Sequence, residues 1–199
     1  MIYLIRHGES IFNEAGILHS SSLNEGPLTS KGRMEAEAVA RFLKISGFNG
    51  RVYSSPLLRA KETAMFISSD VIIDDRLREV GMGEWEGKKI SDIPDFHKYT
   101  QDPVNNSPRG GETVKDVAAR MIDFLREVED NAAIVSHWLP ISTALAIVLG
   151  MPLEHVYRIH VYTASISGIN KGSEPWSIEY INLKPKDLEN IINKGKLKL

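Results

Sequence analysis

Three short apolar runs in this chain stop at residues able to hold and attack an anion. Ile2 to Ile5 runs into Arg6-His7-Gly8; Val52-Tyr53-Ser54 runs into Ser55-Pro56, with Arg59 one turn into the helix that follows; Ala132 to Val135 runs into Ser136-His137. Short apolar runs closed by such residues read as buried strands. In open α/β sheets, ligands gather where strands end and helices begin. Helix side chains lean back toward the N-terminus, so Arg59 can reach the same sheet edge as the other three. Two guanidiniums, two imidazoles and two helix starts then share one pocket. Arginine offers a planar fork that matches phosphate oxygens. A histidine can itself be the nucleophile. The guest that such a pocket suits is a phosphate monoester. Singly, Arg6 reads as a salt-bridge residue, and His7 and His137 as satisfied structural histidines; their joint placement at strand ends points to chemistry.

The elements that must position these residues follow from period and punctuation. Thr29 or Ser30 caps a predicted helix over 31–46, with Ala36, Val39, Ala40 and Leu43 as its apolar stripe. Ser55-Pro56 is expected to open a second helix, to about Ser68, with Ser55 as N-cap. Val71 to Ile73 is a further strand. Residues 8–29 and 76–111 read as irregular, with one short helix near 95–100. Residues 112–129 carry a strong helical period, and Pro140 is expected to open a helix over 141–149. Residues 156–169 and 176–183 read as two strands joined by a turn, and 184–199 as a solvated basic tail or frayed helix. Strands alternating with helices imply an α/β three-layer sandwich, with a mostly parallel central sheet and helices on both faces. At 199 residues, with no repeat or linker, one domain over 1–199 is expected.

Composition narrows the function classes. Lys and Arg number 24 against 26 Asp and Glu, a net charge of −2. That balance argues against nucleic acid or a membrane surface as partner. The absence of cysteine removes disulfides, a thiol nucleophile and Cys-ligated metal sites. No run approaches the ~20 apolar residues of a membrane span, and no signal-peptide pattern opens the chain, so the expectation is cytoplasmic.

Six motifs in order carry a family resemblance: Leu4-Ile5-Arg6-His7-Gly8-Glu9-Ser10-x-x-Asn13, then Leu28-Thr29-Ser30-Lys31-Gly32, then Ser54-Ser55-Pro56-Leu57-Leu58-Arg59-Ala60-x-x-Thr63-Ala64. Leu77-Arg78-Glu79-x-Gly81-x-Gly83-x-Trp85-Glu86-Gly87 follows, then Gly110-Gly111-Glu112-Thr113 and Val135-Ser136-His137. Over residues 2–150 the chain resembles the histidine phosphatase superfamily, which includes the phosphoglycerate mutases. The resemblance implies that His7 becomes phosphohistidine, that Arg6, Arg59 and His137 hold the phosphoryl group, and that Ser10 and Asn13 lie near substrate oxygens. It implies Glu79 as proton donor to the leaving group. The residues alone leave Glu79, Glu84 and Glu86 equivalent. It implies neither cofactor nor metal. A His-His-Glu metal site is the competing use of the same residues, but the His-Glu-x-x-His spacing is absent. A donor that must carry a proton also implies activity at acidic to neutral pH.

The chain departs from the family's pattern after the second histidine. Trp138 stands where glycine is usual, and Ser142 where an arginine is common. Pro140 lacks a backbone donor, so the Leu139 N–H is the expected phosphate contact. Trp138 either packs or walls the substrate site. Family mutases carry an Arg-Arg pair in the insertion after the glutamate motif; residues 88–109 offer Lys88, Lys89, Lys98 and a lone Arg109, with His97 and Tyr99 beside them. Water as acceptor, hence a phosphatase of a small phosphorylated metabolite, is expected ahead of a phosphoglycerate mutase or a non-catalytic phosphate-binding module. The strand near 156–169 is either a covered strand or an edge on which a homodimer could form.

Overall fold

The computed structural model describes residues 1–20, 26–172 and 175–193. Six strands form one sheet in the order β3-β2-β4-β1-β5-β6. They are β1 (Ile2–Arg6), β2 (Arg51–Ser54), β3 (Val71–Ile73), β4 (Ala132–Ser136), β5 (Ile166–Asn170) and β6 (Ser177–Leu183). β1, β2, β3 and β4 pair in parallel; β5 and β6 join antiparallel.

Strand side chains alternate faces, and the core shows it. Ile2, Leu4, Ala132 and Ile134 point to one face, under α5 (Val114–Glu127) and α6 (Trp138–Val148). Tyr3, Ile5, Ala133 and Val135 point to the other, under α2 (Ser30–Ile45), α3 (Leu58–Ile67) and α7 (Pro185–Asn193). Covered on both sides, β1 and β4 read as unbroken apolar runs. The three-layer α/β sandwich is the architecture expected. The short helices α1 (Ile11–Ala15) and α4 (Phe96–Gln101) lie in the two irregular stretches. Among the described residues no helix is long and apolar enough to cross a membrane.

Several boundaries differ from expectation. α3 begins at Leu58, with Leu57 as an N-cap that makes no side-chain bond. Ser55 lies two residues before that N-cap; its hydroxyl accepts from the Leu57 N–H at 3.3 Å, outside the helix, and contacts His137 Nε2 at 2.7 Å. α5 starts after Thr113, whose capping box with Asp116 leaves Glu112 outside the helix. α6 starts at Trp138, so Pro140 is its third residue, where the missing N–H had no intrahelical partner to lose. Residues Leu153–Arg158 form a 3-10 turn rather than a strand. Ala164, at a φ of 49°, breaks the extended path just before β5. β5 lies between β1 and β6, so it offers no edge to a second copy. The tail is no solvated end as far as Asn193: Leu188 is fully buried, and Ile191 and Ile192 pack on the same cluster. Residues 194–199 lie outside the described residues.

One close approach positions the turn that carries His7. The turn after β1 lies against the start of α2, where a Cβ on Gly8 would collide with the Gly32 carbonyl. Thr29 donates its backbone N–H to the Glu9 carbonyl and caps α2 with its hydroxyl.

Candidate active site

The C-terminal ends of β1, β2 and β4 bring His7, Arg59 and His137 together. The His7 N–H donates to the Ser136 carbonyl at 3.0 Å, continuing the β1–β4 pairing by one residue. The Gly8 N–H donates to Thr63 Oγ1 at 3.0 Å, tying the same turn to α3. His7 Nδ1 lies 2.7 Å from the Gly8 carbonyl. A carbonyl only accepts, so Nδ1 carries the hydrogen and Nε2 keeps its lone pair. Arg59 Nε donates to that Nε2 at 3.0 Å, and its terminal nitrogen donates to the His19 carbonyl at 2.8 Å. Arg6 donates to the Val161 carbonyl at 2.6 Å. The rings of His7 and His137 are 4.9 Å apart.

Burial and like charge set the protonation of this cluster. His7, His137 and Arg59 are almost wholly buried. Burial first, then the Arg59 and Arg6 guanidiniums, hold His7 well below the ordinary imidazole range. His137 is held down by burial, Arg59, His7 and Arg6 in that order. Burial brings Arg59 down to about 10, with the Glu79 carboxylate opposing. Both imidazoles are therefore neutral at pH 7, while the guanidiniums stay charged.

Glu79 lines the same cavity as His7, Arg6 and Arg59, whereas Glu84 and Glu86 do not. The backbone N–H groups of Val80 and Leu139 donate to its Oε1 at 3.0 and 3.3 Å. The Leu139 N–H, expected to meet phosphate, thus meets this carboxylate instead. The loop carrying Glu79 is pinned from behind. Glu112 accepts from the Gly81 N–H at 2.8 Å and from Arg78 at 2.6 Å. Buried Arg120 reaches the carbonyls of Arg76 and Glu79.

The remaining expected residues divide. Asn13 and Trp138 line the cavity. Ser10 is not among the lining residues; it caps α1, and its hydroxyl and N–H both bind Asn13. Trp138 both packs on Tyr157, with rings 4.7 Å apart, and forms cavity wall. Sequence reasoning missed His19, Tyr157 and the Val161 carbonyl, none of which carries a local signal. Thr63 and Glu112 lay within the family motifs without a role, and Ser55 with only that of an N-cap. Among the described residues no group of three or more His, Asp or Glu side chains is placed to hold a metal.

The cavity measures about 570 Å³. Its floor is cationic, and its walls come from 12–18, 80–100 and 138–162. A model of the histidine phosphatase superfamily, branch 1, matches residues 2–184. The chain belongs to that superfamily. Relatives of this histidine phosphatase homologue carry two kinds of name. A protein of Hydrogenobacter thermophilus named "Putative phosphoserine phosphatase 2" is 32% identical, over 91% of this chain and 94% of its own. "Probable phosphoglycerate mutase GpmB" of Cronobacter sakazakii is 31% identical, over 88% of this chain and 86% of its own. Among solved structures, the alpha-ribazole phosphatase from Shigella flexneri superposes with a TM-score of 0.80 at 27% identity, covering 91% of this chain and 95% of its own.

Proposed function

We propose that this chain hydrolyses phosphate monoesters through a phosphohistidine on His7. The observation that carries the reading is the Nδ1–H bond from His7 to the Gly8 carbonyl, which leaves a neutral Nε2 facing Arg59. Nε2 attacks phosphorus as the bond to the leaving oxygen breaks, and Glu79 gives that oxygen its proton. Water then attacks the phosphohistidine, Glu79 takes the water's proton, and the P–N bond breaks to release phosphate. Arg6, Arg59 and His137 stabilise the charge gathering on the phosphoryl oxygens; Arg59 Nε first gives up its bond to His7 Nε2, and His137 Nε2 its contact with Ser55 Oγ. Asn13 stands beside this phosphoryl site. The nucleophile stays unprotonated into the acidic range, which suits a mechanism whose donor must hold a proton.

Water is favoured over a phosphorylated acceptor by where the cations lie. A mutase must grip a carboxylate as well as a phosphate. Lys88, Lys89, Lys98 and Arg109 are exposed and outside the cavity lining.

The test is hydrolysis of p-nitrophenyl phosphate from pH 4 to 8 by wild type and His7→Ala, with and without EDTA. Activity that survives EDTA and is lost in His7→Ala is expected. Activity retained by His7→Ala refutes the covalent route, and loss in EDTA revives the metal reading. Turnover of 3-phosphoglycerate only with a bisphosphoglycerate primer would favour the mutase.

A further inference from the structure

The walls of the cavity differ in chemistry from its floor. Phe12, Ile17, Met82, Phe96, Trp138 and Tyr157 present apolar surface above His7. Three of them belong to one chain of aromatic contacts. Trp138 meets Tyr157 at 4.7 Å, Tyr157 meets Tyr99 at 5.7 Å, and Tyr99 meets Phe96 at 6.2 Å between ring centres. Each ring is braced by the next, so this wall is formed before any ligand arrives. The opposite wall is tied to the roof by backbone bonds: Leu18 N–H to the Lys88 carbonyl at 2.9 Å, and Ile90 N–H to the Gly16 carbonyl at 3.2 Å.

Among the described residues the lining offers a second anion no lysine and no guanidinium beyond those of the floor. Its guanidiniums are Arg6 and Arg59, both committed to the floor by the bonds to Val161, His7 and His19. Apart from His7 on the floor, its other basic groups are two imidazoles. His19 packs edge-on against Phe12 at 4.1 Å, with Nδ1 3.4 Å from the Glu86 carboxylate. His160 stacks on Tyr162 at the mouth. Lys184 sits over the outer Tyr162 ring and is not among the lining residues. Residues 21–25 contain no Lys or Arg.

We propose that the alcohol carried by the substrate phosphate is an uncharged group with an apolar ring, held between the Phe96–Trp138–Tyr157 wall and the Phe12–Ile17 wall, and bears no carboxylate. This rests on the phosphomonoesterase reading of the site. It assigns Phe96 and Trp138 to specificity, and it sets the substrate apart from phosphoserine and phosphoglycerates. A volume of about 570 Å³ falls within the ~300–1,000 Å³ of sites for compact organic ligands.

The test separates binding from turnover by using phosphonates, which present the same head group but cannot be hydrolysed. Calorimetric titration compares phenylpropylphosphonate, ethylphosphonate and carboxyethylphosphonate. Burial of the ring and its linker predicts binding at least about 30-fold tighter for the phenylpropyl compound than for the ethyl one. The carboxyethyl compound is expected to bind no tighter than ethyl. Phe96→Ala should cut the phenylpropyl-to-ethyl ratio about tenfold. Tighter binding of the carboxyethyl compound, or no gain from the ring, overturns the proposal. The matching esters, all with primary alcohols as leaving groups, then test hydrolysis. Ring-selective binding without turnover of any ester would sink the phosphatase reading and leave the apolar site standing. Turnover that prefers phosphoserine would do the reverse.

Discussion

The two buried imidazoles make the fold acid-sensitive in a calculable way. In the unfolded chain each titrates near the ordinary value of ~6.5. In the folded chain both lie well below it, because burial and the Arg59 and Arg6 charges oppose a second proton. The unfolded chain therefore binds more protons in the interval between. Stability from these groups is complete above pH ~6.5 and is lost as pH falls from there toward the depressed folded values. One pH unit of that interval costs about 1.4 kcal/mol per histidine, so at pH 5.5 the pair costs at most about 3 kcal/mol relative to pH 8. That is a large part of the ~5–15 kcal/mol that holds a typical domain. Urea unfolding at pH 8 and 5.5, in phosphate-free buffer, compares wild type with the His7→Asn/His137→Asn double variant. Contributions from His19 and the carboxylates are common to both proteins. Wild type should lose more stability than the variant over this range, by at most about 3 kcal/mol. Equal losses would refute the assignment of both rings as neutral in the folded protein.

Three further outcomes are expected. Glu79→Gln should lower kcat on an alkyl phosphate by about 10²- to 10⁴-fold, and much less on p-nitrophenyl phosphate, whose leaving oxygen scarcely needs a proton. Equal losses on the two esters, measured by phosphate release, would remove Glu79 from that role. Glu112→Ala frees Gly81, Arg78 and Arg120 and should reproduce the same ester-dependent pattern at about tenfold in kcat, because it loosens the loop that aims Glu79. Leu188→Ala should cost about 2–5 kcal/mol in urea unfolding while leaving KM unmoved, since that side chain is buried on the sheet face opposite α6.

The cationic floor was legible because its signal is local: an apolar run of strand length ends in the residue that acts, and β1, β2 and β4 are neighbours in the sheet. His7, Arg59 and His137 meet as their positions at strand ends require. Ser10 caps α1, and sequence does not separate the two uses because N-cap and ligand contact draw on the same residue type. The Leu139 N–H went to Glu79, and nothing in sequence tells a carboxylate acceptor from a phosphate. The walls were illegible for another reason. Phe12, Phe96 and Tyr157 sit in short or irregular elements far apart in the chain, and apolar residues there look the same whether they face core or cavity. Leu188 and its helix were hidden by lysines, which dominate the composition of 184–199 while the apolar face carries the packing.

The bond from Arg6 to the Val161 carbonyl, together with β5 lying against β1, has a consequence for how the chain is made. Synthesis delivers β1 first, but its two neighbours are β4 at Ala132–Ser136 and β5 at Ile166–Asn170. A strand of Ile, Tyr and Leu must therefore wait with both edges unpaired until most of the polypeptide has left the ribosome. Every motif residue through His137 is already present by then, yet Arg6 has no carbonyl to hold it until Val161 emerges. Between the emergence of His137 and that of Val161, the reactive residues are complete and the pocket is not. The earlier wait is the exposed one: until β4 emerges, both edges of β1 are open to other strands.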